Sequence, residues 1–444
     1  MRRILLLAAV VVAALSAGEA RANPLDAFGF GSRETALGGA VSADVQGFAA
    51  GYYNPAALAR SRGLDLSIGY FRANHTLDTN GQDNRVDPVK GLVGGFVLPG
   101  KVFGLPLAFG LALHLPDDRI SRVRALRQEQ PRWELYDNRN QRLYLAANLA
   151  VSPWPWLQLG GGLSFMSSTT GRLDIGGSAN IFRPDDSQLR HEVDADLTAV
   201  RYPQAGLRVA LGKRVALAAV YRGEFKLRLD LAAYLHGDVS GLTTAIYRLE
   251  THSVNNFLPQ QVVVGGAWSV TEDVKAMADV TWVNWSAYIP PVASLDVLLD
   301  IPPPAGGWPS TITPPTAPAP TRIAPLVMHD RLSPRLSVEW RAVHRPKWEL
   351  FGRAGYEFLT SPITPQVGIT NYIDRDRHSG SLGLGAKLNA PLDELPGDVR
   401  FDVHVQYSGL VSDVTRKTSP ADLVGDYRAG GHIWNFGATL SVGF

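Results

Sequence analysis

From His432 to Phe444 the chain alternates, with His432, Trp434, Phe436, Ala438, Leu440, Val442 and Phe444 on one parity and Ile433, Asn435, Gly437, Thr439, Ser441 and Gly443 on the other. A period of two marks a strand with two unlike faces. Residues 400–408 repeat it, with Phe401, Val403, Val405 and Tyr407 opposed to Arg400, Asp402, His404 and Gln406. In 335–342, Leu336, Val338, Trp340 and Ala342 oppose Arg335, Ser337, Glu339 and Arg341; in 142–151, Leu143, Leu145, Ala147, Leu149 and Val151 oppose Arg142, Tyr144, Ala146, Asn148 and Ala150. A soluble sandwich also alternates, but two features favour a membrane barrel. The strands run to about ten residues, the length that crosses a bilayer at a tilt, where globular sheets use five or six. The charges also keep to one face, as they must when a charge on the lipid face costs roughly 2–4 kcal/mol.

Connection lengths give an independent reading, because membrane barrels alternate short turns at one end with long loops at the other. Short connections fall near 99–106, 152–156, 211–215, 270–274, 343–347 and 389–398, and longer ones near 74–90, 116–141, 171–196, 236–252, 286–331, 361–378 and 409–430. That alternation predicts about fourteen strands, from LDLSIGYF (64–71) to the C-terminus, in an all-β, antiparallel transmembrane barrel. Trp154, Trp156, Trp285, Trp348 and Tyr407 fall near predicted strand ends, where interfacial aromatic girdles belong.

Composition narrows the class. Lys and Arg number 43 against 41 Asp and Glu, so bulk charge gives no reason to expect nucleic acid as a partner. There is no cysteine, which excludes disulfides and thiolate metal sites. Arg2 and Arg3 precede an apolar run from Ile4 to Leu15, and Ala20-Arg21-Ala22 supplies small residues at a cleavage site, so 1–22 reads as a secretory signal. Beyond it no stretch of eighteen apolar residues occurs, and a chain without helical spans enters a membrane only as a closed barrel.

A fourteen-stranded barrel encloses more space than wall side chains fill. The forty or so residues between signal and first strand are small and flexible, with Gly38, Gly39, Gly47 and Gly51, and we assign 23–62 as a plug inside the lumen and 63–444 as the barrel. The stretch GFGSRETALGGAVSADVQGFAAGYYNPAALA, with its Asn54-Pro55-Ala56, resembles the N-terminal hatch of the FadL/TodX-type outer-membrane transporters for long-chain fatty acids and aromatic hydrocarbons. LPQQVVVGGAWSVTEDVKAMADVTWVNWS (258–286), FGRAGYEFLTSPI (351–363) and DRDRHSGSLGLG (374–385) resemble later parts of that family in the right order. The resemblance implies passive uptake of a hydrophobic small molecule across the outer membrane of a Gram-negative bacterium, with lateral release through a kinked strand. It implies a monomer without cofactor or catalytic site, inserted by the barrel-assembly machinery through an aromatic C-terminus, here Phe444.

Within that expectation LPLAFGLALHL (105–115) resembles the kinked strand, and Gly110 is the candidate kink, the alternative being a small residue in a tightly packed wall. Leu242, Ile246 and Leu249 recur at helical spacing in a long loop and are candidates for apolar capture or for packing on a neighbouring loop. Arg119, Arg122, Arg124 and Arg127 offer lipopolysaccharide contacts or a solvated face. The loop 301–325 holds nine prolines and reads as an extended spacer or lid. GFVLPGKV (95–102) lacks the hydroxyl of a phosphate loop, and HEVDAD (191–196) and DRDRH (374–378) suit charged rims better than metal sites. Two rivals remain: a porin for small polar solutes, and a lipid-acting outer-membrane enzyme, for which no G-x-S-x-G is present and His404 suits a polar lumen better than a triad.

Overall fold

The computed structural model describes residues 24–118, 129–136, 143–179, 185, 188–239, 243–289, 294–307, 310, 324, 326–390 and 397–444. The signal segment, Arg119 to Arg127, Leu242 and most of the proline-rich loop lie outside them.

Fourteen strands form the wall: β1 Asp65–Thr79, β2 Val89–Val102, β3 Leu105–Pro116, β4 Tyr144–Trp154, β5 Leu157–Ala179, β6 Gln188–Leu211, β7 Val215–Arg222, β8 Gln261–Ser269, β9 Val274–Val283, β10 Arg331–His344, β11 Trp348–Leu359, β12 Arg377–Asn389, β13 Asp398–Thr415 and β14 Tyr427–Gly443. Each pairs antiparallel with its neighbour, and β14 pairs with β1 from Asp65↔Gly443 to Thr79↔Ala429, so the sheet closes without a free edge. All six short connections fall at one end, and all the long ones at the other.

Alternation fixes which way each side chain faces. Leu336, Val338 and Trp340 of β10, and Phe401 and Tyr407 of β13, are exposed on the outside, while Ser337, Glu339, Asp402, His404 and Gln406 are buried inside. Aromatic residues ring both rims: Trp154, Trp156, Trp268 and Trp348 at the short-turn end, Tyr70, Tyr356, Tyr407 and Trp434 toward the long loops. Trp154 and Trp156 stack at 5.6 Å with their planes 11° apart. Trp285 does not join them; it is buried, because its strand has ended at Val283 and a short 3₁₀ turn, Trp285–Ala287, folds it inward. Among the described residues no helix is long and apolar enough to cross a membrane; the crossing is made by strands.

Two predicted loops are strands. β5 and β6 stay paired from Leu157↔Val209 to Ser178↔Gln188, so 171–178 and 188–196, the latter including HEVDAD, continue the ladder. Residues 236–239 and 243–252 belong to paired strands, Phe225–Val239 with Thr243–Leu258. The helical spacing is overridden at Ile246 and Leu249 by β-branched Thr243, Thr244, Thr251 and Val254 and by pairing. The hairpin lies in parallel against the upper part of β5, and Ser294–Asp300 pairs on its other side, so a small sheet stands above the wall.

Candidate functional site

The bore is filled by residues 24–62. Their short helical turns, Pro24–Phe28, Ser32–Ala36, Ala50–Tyr53 and a 3₁₀ turn Pro55–Arg60, leave many backbone groups without regular partners. The wall supplies partners from its polar inner side chains. Asn435 Nδ2 donates to the Phe28 carbonyl at 2.7 Å, Arg208 Nε to Ala43 at 2.7 Å, Gln204 Nε2 to Gly51 at 2.6 Å and Arg222 Nε to Tyr52 at 3.0 Å. Asp279 accepts from both the amide and the hydroxyl of Ser42, at 2.9 and 2.8 Å. A small-residue chain was needed because it must pass close to the sheet on every side.

The Asn54-Pro55-Ala56 motif shows this most closely. Asn54 Oδ1 accepts from Ala56 N at 3.0 Å and so caps the 3₁₀ turn, with Pro55 at its first position where a missing N–H costs nothing. Asn54 Nδ2 donates to the Ser42 carbonyl at 2.8 Å. The motif rests on wall glycines: a Cβ on Gly160 would overlap the backbone of Pro55 and Ala56, and one on Gly206 would overlap the Asn54 side chain. Gly38 has φ +58, and a Cβ on it would come 3.0 Å from the Tyr356 amide, so glycine is required there on two counts. Gly39, at φ +73, continues the same turn.

Around this plug the inner wall has two unlike sides. Against β1 to β4 it is apolar: Phe71, Leu77, Val93, Ala108, Tyr144 and Ala146 pack with Phe28, Phe30, Phe48 and Tyr52 in one buried cluster. Phe30 meets Phe48, Tyr52 and Tyr144 edge to face at 5.0–6.0 Å. Against β9 to β13 it is ionic. Arg33 of the plug pairs with Glu339, Asp44 and Glu34, and Arg353 links Glu339 to Asp402 at 2.6 Å each. Asp44 also holds Lys275 at 2.6 Å and Arg60 at 3.3 Å. Burial pushes the Glu34 carboxyl up, while the cations around Asp44 hold its carboxyl down against its own burial.

Nearer the long loops Glu357 bridges Arg335 and Arg377, at 2.6 and 2.8 Å. A small cavity of about 30 Å³ opens there, floored by Ala27 and lined on its polar side by Arg331, Ser333 and Arg377 and on its apolar side by Leu135, Val283 and Trp285. Sequence reasoning placed Trp285 in the girdle and missed this cavity, since its lining comes from seven separate stretches of chain. Under the plug, at the short-turn end, a wider polar vestibule of about 800 Å³ is lined by Arg60, Arg208, Arg400 and Asp65 among others.

Gly110 faces inward in β3, opposite Val97 and Asn148, and neither ladder shifts register there. A Cβ on it would come 2.6 Å from Leu58 of the plug. Ile246 is exposed on the loop hairpin; Leu249 lies on the same strand at the opposite parity. Asp374 is buried in the loop after β11, Arg377 of DRDRH is committed to Glu357, and GFVLPGKV is strand β2. Among the described residues no three His, Cys, Asp or Glu side chains gather as metal ligands.

Neither protein-family models nor curated protein sequences give a match to the chain. Solved structures do. A FadL homologue from Pseudomonas aeruginosa aligns over 96% of this chain and 99% of its own, with 12% identity and a TM-score of 0.55. CymD, a monoaromatic hydrocarbon channel, covers 94% and 97% at 14% identity and 0.54, and the Ralstonia pickettii toluene transporter TbuX 94% and 98% at 14% and 0.52. The chain therefore has the FadL/TodX-type fold along nearly its whole length, a transmembrane barrel of fourteen strands.

Proposed function

We propose that the protein is an outer-membrane transporter for hydrophobic small molecules in a Gram-negative bacterium, related to the FadL- and TodX-type channels whose fold it shares. The observation that carries this is the filled bore: a barrel plugged by its own N-terminal segment, with an aromatic, apolar lining along β1 to β4, suits oily cargo and is a poor path for solvated ions. The long-loop end faces outward and the short-turn end the periplasm, as in membrane barrels generally. Cargo is captured among the outer loops, where the hairpin 225–258 with Ile246 is our candidate, and transfer is driven by apolar burial at roughly 0.8 kcal/mol per CH₂.

Release sideways into the membrane is the finer part of the proposal. β3, with Gly110 packed on Leu58 beside the Asn54-Pro55-Ala56 seat, is our candidate for the wall element that parts, since movement of the plug would relieve that contact first. In the present state its ladders to β2 and β4 are closed.

The test is uptake of radiolabelled long-chain fatty acids and alkylbenzenes by intact cells with and without the gene. Faster uptake of at least one class is expected. Equal uptake across such a panel, with faster entry of small sugars or amino acids instead, would support the porin reading.

A further inference from the structure

We propose that the polar vestibule under the plug is a phosphate site, and that a phosphate held between Arg60 and Arg208 pins the end of the plug to the wall. The site is separate from the cargo and from the route the cargo takes.

Arg60 ends the 3₁₀ turn Pro55–Arg60 of the plug, and Arg208 lies on β6 two residues from Gly206, the glycine on which Asn54 and Pro55 rest. Both side chains line the vestibule, so the plug's last turn and its seat each present an arginine to one space. Arg208 donates through Nε to the Ala43 carbonyl at 2.7 Å and through Nη1 to Gln158 Oε1 at 2.8 Å, both neutral acceptors. It makes no ion pair within 4.0 Å among the described residues, and Nη2 has no acceptor there. Of the charges that act on Arg208, that of Arg60 comes ahead of that of Asp44. Two like charges therefore oppose each other across the seam between plug and wall.

The carboxylates nearby are already engaged. Asp44, bonded to Arg60 at 3.3 Å, is shared with Lys275 at 2.6 Å and with Arg33 at 3.2 Å. Asp65 and Asp398 line the vestibule, but both bind Arg400, and Asp398 also meets Lys387 at 3.8 Å. Four arginines, with exposed Arg62 the fourth, thus line a space that holds two side-chain carboxylates. The positive charge left over sits at the Arg60–Arg208 seam.

Phosphate is the complement of that seam. It carries roughly 1.5–2 negative charges at neutral pH and accepts several hydrogen bonds at once, and the guanidinium fork matches its oxygens. Chloride offers a single charge and no directed acceptors. At about 800 Å³ the vestibule also has room for whatever carries the phosphate. Free phosphate and a phospholipid head group share this chemistry. With the anion bound, plug and wall are drawn to the same partner; without it they repel, and the last turn of the plug is held less firmly.

The experiment titrates inorganic phosphate, by calorimetry, into the full chain purified in a non-ionic detergent and phosphate-free buffer, with sodium chloride matching ionic strength throughout. Saturable binding is expected, and Arg208→Gln should weaken it by about tenfold or more, the loss of a charged hydrogen-bonding partner. Arg208→Lys, which keeps the charge and loses the fork, should fall between the two. Retention of the heat-modifiable barrel on gels confirms that each variant is folded. Trypsin cleavage after Arg60 and Arg62 is the second readout: phosphate should slow it severalfold in the natural protein and leave it unchanged in Arg208→Gln. A parallel titration uses dihexanoylphosphatidylglycerol. Binding of this lipid alone, weakened by Arg208→Gln, assigns the phosphate to a lipid head group; binding of inorganic phosphate assigns it to the free ion. Binding of neither probe, or binding indifferent to Arg208→Gln, overturns the site and leaves the transport reading untouched. Binding that does not slow trypsin overturns the pin.

Discussion

Arg33 of the plug and Glu339 of β10 are joined by two hydrogen bonds of 2.9 Å, one from Nε and one from Nη2. This parallel pair ties plug directly to wall, and it sits in a network in which Glu339 and Asp44 each touch a second cation while Glu34 touches Arg33 alone. Arg33→Met should therefore cost less than the roughly 3–5 kcal/mol expected when one member of an isolated buried pair is removed. Its effect should concentrate on Glu34, left with no bonded cation. Limited proteolysis of the plug in detergent should show faster cutting near 33–44 in the variant, with the barrel resistant in both.

The glycine seat makes a sharper prediction. Gly160→Val or Gly206→Val places carbon where Asn54, Pro55 and Ala56 now lie, so the plug must shift. Gly161→Ala, one residue along, would meet only the Gln204 carbonyl at 3.3 Å and serves as the control. Bilayer recordings should show frequent open events for the first two variants and few for the third.

Leu382 and Leu384 of β12 are 61% and 68% exposed near the middle of their strand, on the face that meets lipid. Leu384→Arg should lower the stability of the barrel by about 2–4 kcal/mol. Reversible urea unfolding from lipid vesicles measures it, and a change under 0.5 kcal/mol would mean that this face is not in the hydrocarbon.

Asp374 gives a pH dependence at the long-loop end. Burial pushes its carboxyl up to about 6, against the pull of Arg331 and Arg377 and of the hydrogen bonds made nearby. The ordinary Asp value is about 3.9, so the folded loop prefers the protonated form. Its stabilisation is complete below about pH 4 and is lost as pH rises through 6. Amide exchange over 360–376, corrected for its intrinsic pH dependence, should quicken across that window, and Asp374→Asn should flatten the response.

How much of this was legible in the chain follows from what each signal depends on. Strand faces and short turns depend on neighbours in sequence: alternation in 400–408 and 432–444 and the clusters at 103–104, 212–214 and 345–347 located wall and turns within a few residues. The plug was legible because its small residues and Asn54-Pro55 have no use in a strand. The sheet above the wall was not, because the spacing of Ile246 and Leu249 imitates a helix locally and only pairing with β5 and with Ser294–Asp300 settles the matter. The Arg331 cavity was hidden for a different reason. Its donors sit at 285, 331, 333 and 377, and only closure of the barrel brings them together.

If residues 24–62 seal the bore and cargo crosses by partition into apolar surface, solvated ions have no path through the full chain. Steady conductance of the purified full chain in planar bilayers, beside a chain lacking residues 34–56, tests it most directly. The full chain should be nearly silent, and the shortened one should conduct ions like an open pore of its diameter. A large steady conductance in the full chain, or the same small conductance in both, would contradict it.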